Sequence, residues 1–323
     1  MKMSLKPKAL MAGAVGALIS LTAVPSHADM FAISKLTVFN FVILGSDGQP
    51  LDAATDFGDL NYTSSADMDG SLTGTAGFSF TEPNGDNIDF PSSCLSTTGD
   101  CNPLPENTFP YISAPQGLDY VAADHLQVGS PIDNLPGFDP VAGADVGQEA
   151  VGSLSTTVAS GSANVNNGLE ANWTFTLEQA GGITFAGDFA TYLEAFASAG
   201  ELAPGKASAA TTFEISITDL TNGLVVYNFK PDLLNQTTSA NAGGFGVDIR
   251  TCGAIAAITA GCGNGEVSGL FSDTTGALAA GTLYQLSLRS NANIDIARVV
   301  PAPGTLALLG LGLLGLSRRR RVS

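Results

Sequence analysis

Histidine, tryptophan and charge are all scarce in this chain. Of 323 residues, two are histidine, one is tryptophan and four are cysteine, and charged residues make up 13%, about half the share usual in soluble domains. His27 lies in the N-terminal apolar segment, so His125 is the only histidine of the body. That excludes an H-E-x-x-H zinc hydrolase and any multi-histidine metal centre. A Ser-His-Asp triad would have to use His125 beside Asp124, and no G-x-S-x-G elbow accompanies them. His125 reads instead as an exposed loop histidine. No phosphate-binding or dinucleotide fingerprint opens a helix. With 7% aromatics, the chain is also lean for a sugar-cleaving cleft.

Basic residues are few and unevenly placed. The chain has 13 Lys and Arg against 30 Asp and Glu. Lys2, Lys6 and Lys8 lie at the front and Arg318 to Arg321 at the back, which leaves Lys35, Lys206, Lys230, Arg250, Arg289 and Arg298 for the body. Every acid falls between Asp29 and Asp295. Such a surface repels phosphate backbones and anionic lipid, so no nucleic-acid partner is expected. Many aspartates sit beside Gly, Asn or Ser, which suits Asx-turns. Divalent-cation binding is the competing reading. Its candidates are Asp67 and Asp69, in a stretch resembling the start of a calcium loop, and Asp86 and Asp89 in an acidic turn cluster. Asp52, Asp56 and Asp59 form a third locus, and none completes a twelve-residue loop. The expected cofactor content is none, with calcium the one exception left open.

The two ends differ from the body. Residues 1–28 read as a signal peptide with a helical apolar stretch: a lysine-bearing start, an uncharged run from Ala9 to Val24, and Ser26-His27-Ala28 as the cleavage site, so that processing falls after Ala28. At the back, Val300-Pro301-Ala302-Pro303-Gly304 precedes an apolar run from Thr305 to Leu316, then Ser317 and four arginines. As a helix that run spans about 18 Å, against a hydrocarbon core of about 30 Å. The arginines would stay cytoplasmic. Such a short, glycine-broken helix suits a chain held briefly at the membrane until an enzyme cuts beside it, a logic shared with GPI signals.

Residues 299–323 resemble the sorting tail of PEP-CTERM proteins, the exosortase substrates of Gram-negative bacteria. The family pattern is Val-Pro-Glu-Pro, a Leu/Gly-rich helix and an Arg-rich end. Pro301 and Pro303 match its prolines, and Arg318, Arg319, Arg320 and Arg321 its basic end, while Ala302 stands where the family carries Glu. The resemblance implies signal peptidase and an exosortase-type enzyme as partners, transient inner-membrane anchoring by the tail, and a destination at the cell envelope or outside the cell. It also implies a link to biofilm or extracellular polysaccharide.

Period-two patterns dominate residues 29–298. Thr212 to Thr218 alternates cleanly, Thr221-Asn222-Gly223 reads as a turn, and Leu224 to Phe229 returns, which predicts a hairpin. Trp173, Phe175 and Leu177 mark another strand, as do Tyr284, Leu286 and Leu288, with Ser290 to Asn293 read as a polar turn. Phe31 to Leu44 is a long strand and Leu72 to Thr81 a weaker one. Phe189 to Ser198 fits a strand or one helix, and residues 150–168 an edge strand or linker. Residues 82–147 hold more than half of the 16 prolines and read as a long loop insertion with short edge strands. The predicted class is an all-β sandwich of jelly-roll type. Four cysteines in an exported chain predict two local disulfides, Cys94–Cys101 and Cys252–Cys262.

The function expected is a structural or interaction protein of the envelope or matrix, without catalytic activity. One alternative is a carbohydrate- or surface-binding module, calcium-stabilised, for which Trp173, Tyr192, Tyr227 and Tyr284 are the candidate aromatics, although core positions suit them better. The other is a glycan-active enzyme working through paired carboxylates.

Overall fold

The structure is a computed structural model. It describes residues 30–83, 87–98, 105–109, 118–155, 160–197, 205–242, 249–252 and 266–298. The signal segment, the C-terminal tail, Asp86, Cys101 and Cys262 lie outside the described residues. So do the helices expected at either end.

Among the described residues the architecture is almost wholly β, with one 3-10 turn at Asp232–Leu234. Strands β1 (Met30–Leu44), β4 (Ile88–Ser96), β5 (Tyr120–Val128), β6 (Ala144–Leu154), β8 (Thr184–Ala197), β12 (Ile249–Cys252) and β13 (Val267–Thr274) build sheet 1. Its order is β12-β8-β1-β6-β5-β4, with β13 also pairing β8. Strands β2 (Phe57–Leu72), β3 (Phe78–Pro83), β7 (Ser160–Leu177), β9 (Gly205–Asp219), β10 (Leu224–Phe229), β11 (Gln236–Ala242) and β14 (Tyr284–Arg298) build sheet 2. Its order is β10-β9-β14-β7-β2-β3, with β11 also on β9. Pairing between these strands is antiparallel throughout. The two sheets pack as a sandwich. Strands β4, β5 and β6 form a meander with β1 beside β6, the neighbour order of a Greek key. The first and last strands, β1 and β14, belong to opposite sheets. Met30 pairs Leu154, and the Arg298 Nη2 donates to the Leu154 carbonyl at 3.3 Å, so both ends of the body emerge at one end of the sandwich.

Two apolar clusters fill the space between the sheets. One gathers Leu36, Val38, Phe41, Val146, Trp173, Phe175, Phe185, Phe213, Ile215, Leu286 and Leu288. Phe41 stacks on Phe185, with centroids 6.4 Å apart, and Phe57 meets Phe175 edge-on at 5.7 Å, arrangements that add to area burial. The other cluster is finer-grained: Ala32, Ala66, Ala123, Ala150, Ala163, Ala195, Ala207 and Ala209 with Met68, Leu154 and Ile294. Small side chains there bring the sheets close.

Several expectations hold and several need correction. β1 and the β9–β10 hairpin form as read. Four residues join β9 to β10, since Leu224 pairs Asp219. Only Gly223 takes a positive φ, 67°, while the Asp219 carboxylate accepts from the Thr221 and Asn222 amides. Residues 189–197 are strand, not helix. The weak strand expected at 72–81 is instead the β2–β3 turn with its flanks. The polar turn expected at Ser290–Asn293 does not form. β14 runs straight through because Ser290 points into the core and bonds Gln148, while the Asn291 amide donates outward to Thr212 Oγ1 at 2.8 Å.

The proline-rich region 82–147 is not a plain loop insertion. It supplies edge strand β4, internal strand β5 and the start of β6. Pro91 fits in β4 because the strand lies at the sheet edge and its register shifts between Phe90 and Ser93. Gly129, at φ 79°, turns the chain from β5, and a Cβ there would meet the Gly143 carbonyl oxygen at 2.2 Å.

Phe175→Ala should lower the unfolding free energy by about 3–5 kcal/mol, the usual cost of emptying a packed aromatic site. Leu224→Ala, on the exposed edge, should change it by less than about 0.5 kcal/mol. Urea denaturation followed by tryptophan fluorescence measures both.

Candidate functional site

Sheet 1 is unusual because it is buried on both faces. Met30 to Val38 of β1, Val146 to Leu154 of β6 and Tyr120 to His125 of β5 are all buried. A strand exposes successive side chains to opposite faces, so the polar residues in these strands divide into two groups.

The inward group forms a polar belt between the two apolar clusters. His125 on β5, Gln148 on β6 and Ser34 on β1 come from sheet 1, and Thr211 on β9 and Ser290 on β14 from sheet 2. The belt ties the sheets together: the Gln148 amide donates to Ser290 Oγ, Ser34 Oγ donates to the Ala210 carbonyl at 2.6 Å, and the Gln127 amide donates to the Tyr62 hydroxyl at 3.4 Å. His125 lies against Phe90, ring centroids 5.6 Å apart. Neither of its ring nitrogens makes a side-chain hydrogen bond of normal geometry. Burial pushes its pKa down to about 4, with the Gly147 backbone opposing. The exposed loop histidine expected from sequence is therefore corrected: His125 is fully buried in an internal strand, where proline-rich flanks had hidden the strand itself.

The outward group forms a charged row. Asp124 on β5 pairs Glu149 on β6, Glu149 pairs Lys35 on β1, and Lys35 pairs Tyr192 on β8. Cross-strand partners share a face with Cβ atoms about 5 Å apart. Lys35 Nζ reaches Glu266 Oε2 at 3.3 Å. The Tyr192 hydroxyl donates to Glu194 Oε2. Phe31, Ile33, Tyr120, Ala122 and Val151 pack around the row. Phe109 closes over it at Gly147, where any Cβ would strike the ring at 2.1 Å.

Desolvation dominates the chemistry of this row. Burial raises Glu149 to about 8; Lys35 opposes, and Asp124 and Glu266 add to the rise. Burial raises Asp124 to about 7; the Asn107 amide, donating to Oδ2 at 2.9 Å, opposes, and Glu106 and Asp89 add. Burial and Glu149 push the Tyr120 phenol up as well.

The residues expected as sites fall elsewhere. Asp67 and Asp69 sit mid-strand on β2, paired with Thr81 and Ser79. The start of a calcium loop expected there is corrected to extended strand. The Asn164 amide donates to Asp69 Oδ2 at 3.0 Å. Asp89 lies on β4 and accepts from the Asn107 amide at 3.3 Å. The structure thus brings Asp89 near Asp124 and keeps it apart from Asp67 and Asp69. Cys94 on β4 is disulfide-bonded; the expected partner Cys101 lies outside the described residues, as does Cys262, so neither pairing is described. Asp124 and His125 are consecutive in one strand and point to opposite faces, which rules out their joint use in a triad. Trp173, Tyr192 and Tyr284 are core residues, and Tyr227 is half-buried with its hydroxyl on Asp273 at 2.9 Å. They form no exposed aromatic row.

Sequence reasoning missed the acidic row because a strand covered on both sides loses its alternation. The available signal was Tyr120 to Val128 itself, nine residues without Gly or Pro inside a proline-rich region.

The described residues define an antiparallel β-sandwich with a buried charged row, and two of its hollows lie away from that row. One hollow sits between the sheets at Tyr62, Gln127 and Trp173, and the other is a surface groove at Phe57, Tyr62 and Asn134. Residues 299–321 match the model of the PEP-CTERM protein-sorting motif. No curated protein matches the chain.

Among the perturbed groups, the two carboxyls and His125 act in opposite directions on stability. The folded chain holds protons on Asp124 and Glu149 that the unfolded chain has released, so stability falls as pH rises towards about 8. His125 is depressed, so its contribution is complete above about 6.5 and is lost as pH falls through about 4. Between pH 6.5 and 8 the carboxyls act alone. In metal-free buffer the melting temperature should fall across that window. Glu149→Gln should flatten the fall, and His125→Phe should leave it intact while moving acid unfolding to lower pH.

Proposed function

We propose that this chain is an exported, C-terminally sorted protein of the cell envelope or extracellular matrix, with a structural or interaction role and no catalytic activity. The observation that carries the reading is the sorting motif at residues 299–321. It supports export and handling by an exosortase-type enzyme, after signal peptidase has cut behind Ala28. The tail holds the protein briefly at the inner membrane.

The body supports the non-enzymatic part. A catalyst needs its reacting groups at a surface that substrate can reach. The cross-strand carboxylates Asp124 and Glu149 are fully buried and line neither hollow. The aromatics that a carbohydrate platform would use are largely in the core. The surface instead offers apolar side chains around edge strand β10: Leu220, Leu224, Val225, Val226 and Leu283 are all exposed. An open, apolar edge invites association. Extracellular polysaccharide is the macromolecular partner that the sorting tail favours.

Mass spectrometry of the protein recovered from outside the cytoplasm tests the reading. The expected species begins at Asp29, lacks the tail beyond the Val299–Gly304 region, and carries Cys94–Cys101 and Cys252–Cys262 as disulfides. Full-length protein in the cytosol, with both ends attached and all thiols free, would overturn it.

A further inference from the structure

The buried oxygens on the outer face of sheet 1 that make no hydrogen bond include Asp124 Oδ1, Asn107 Oδ1 and both carboxylate oxygens of Glu149, and the Tyr120 hydroxyl and Ser153 Oγ are unpartnered there too. Asp124 and Glu149 are cross-strand neighbours, and Asn107 lies against Asp124 through its backbone amide. Buried polar atoms are nearly always partnered, so four orphans on three neighbouring residues need a common cause. All four are acceptors once the two carboxyls are ionised. Asn107 is held there in a left-handed conformation, φ 55°. Its side-chain NH₂ donates to Asp89 Oδ2 at 3.3 Å, which leaves the amide oxygen as the free end.

The charges around these oxygens are mostly negative. Asp89 stands on β4, Glu106 beside Asn107, and Glu266 ahead of β13, and all three disfavour ionisation of the pair. Tyr120 stands on β5, and Tyr192 with Glu194 on β8. Lys35 on β1 is the ammonium in the group, and its amine is drawn to Glu266. Nothing donates to Glu149.

We propose that Asn107, Asp124 and Glu149 form a binding site for a hard divalent cation of calcium type. Oxygen-only ligands suit calcium, which accepts six to eight of them in irregular geometry. Magnesium keeps its water and demands an octahedron. Zinc prefers nitrogen and sulfur, and His125 faces the other side of the sheet. Among the described residues no three Asp, Glu, His or Cys side chains gather as a metal cluster. The set is thus two carboxylates and one amide oxygen, completed by water. Sites of that modest charge bind at about 0.1–1 mM, as extracellular calcium modules do. The cation replaces protons on the two carboxyls, so affinity rises with pH.

The full chain, stripped with EDTA and desalted, is titrated with calcium chloride by calorimetry, and with terbium chloride by luminescence sensitised through Tyr120. One ion per chain is expected, with a rise in melting temperature and tighter binding at pH 8 than at pH 6.5. Asp124→Asn and Glu149→Gln should weaken uptake at least tenfold, and Asp67→Asn should leave it unchanged. Asn107→Ala removes a ligand from a connecting segment and costs the sheets only its hydrogen bond to Asp89 on edge strand β4, so it keeps the test valid should a strand variant fail to fold, and it should weaken uptake severalfold. Absence of uptake at 10 mM calcium, with stability set by pH alone, would show that the pair shares protons and no metal. That result, or uptake indifferent to all three ligand substitutions, overturns the proposal.

Discussion

The structure depends on the double burial of sheet 1. An antiparallel sheet in a sandwich ordinarily keeps one face wet, and its polar residues go there. In β1, β5, β6 and β8 that outlet is closed, so each polar side chain must be matched inside the protein or carried at a cost. The inward ones are matched through Gln148 and Ser290, Ser34 and the Ala210 carbonyl, Gln127 and Tyr62. The outward ones are matched only in part, and the raised carboxyls measure the shortfall.

This arrangement also fixes the register of the sheet. A one-residue slip of β5 against β6 would turn Asp124 into the apolar core and His125 onto the charged row, and would separate Asp124 from Glu149. The alanine-rich half of the core offers few shape features of its own. The polar belt and the charged row supply the specificity that interlocking large side chains would otherwise provide. The aromatic half of the core supplies the larger part of the apolar burial.

How legible the fold was follows from which faces are wet. β9 faces solvent on one side and reads Thr-Phe-Glu-Ile-Ser-Ile-Thr, so its alternation survived and its hairpin could be placed. β1 is buried on both sides for nine residues, yet its length and β-branched content announced it. β5 and β6 had neither advantage. Their polar residues looked like loop chemistry, and neighbouring prolines reinforced that impression although the described ones lie in connecting segments and in edge strands β3 and β4. β2 was hidden because small residues, Ala66 and Gly70, flank Met68 on its inward face and its outward residues are acidic, which resembles a cation loop in one dimension. The sorting tail was legible because processing enzymes read it as linear sequence. The charged row was not, because it is assembled from residues on four separate strands, Lys35 lying more than a hundred positions from its cross-strand partners Glu149 and Tyr192.

β1 starts at Met30 and β14 ends at Arg298, side by side at one pole of the sandwich. The sorting motif begins at the next residue, 299, and its apolar run at Thr305, so six residues of sequence separate the folded body from the segment that the membrane would hold. Under the proposed anchoring that pole of the body would lie nearest the bilayer. β14 spans about 45–50 Å at ~3.3 Å per residue, and the bare hydrophobic rim around Leu224 and Leu283 lies near its far end. The molecule would then present that hydrophobic rim away from the bilayer for as long as the tail stays uncut.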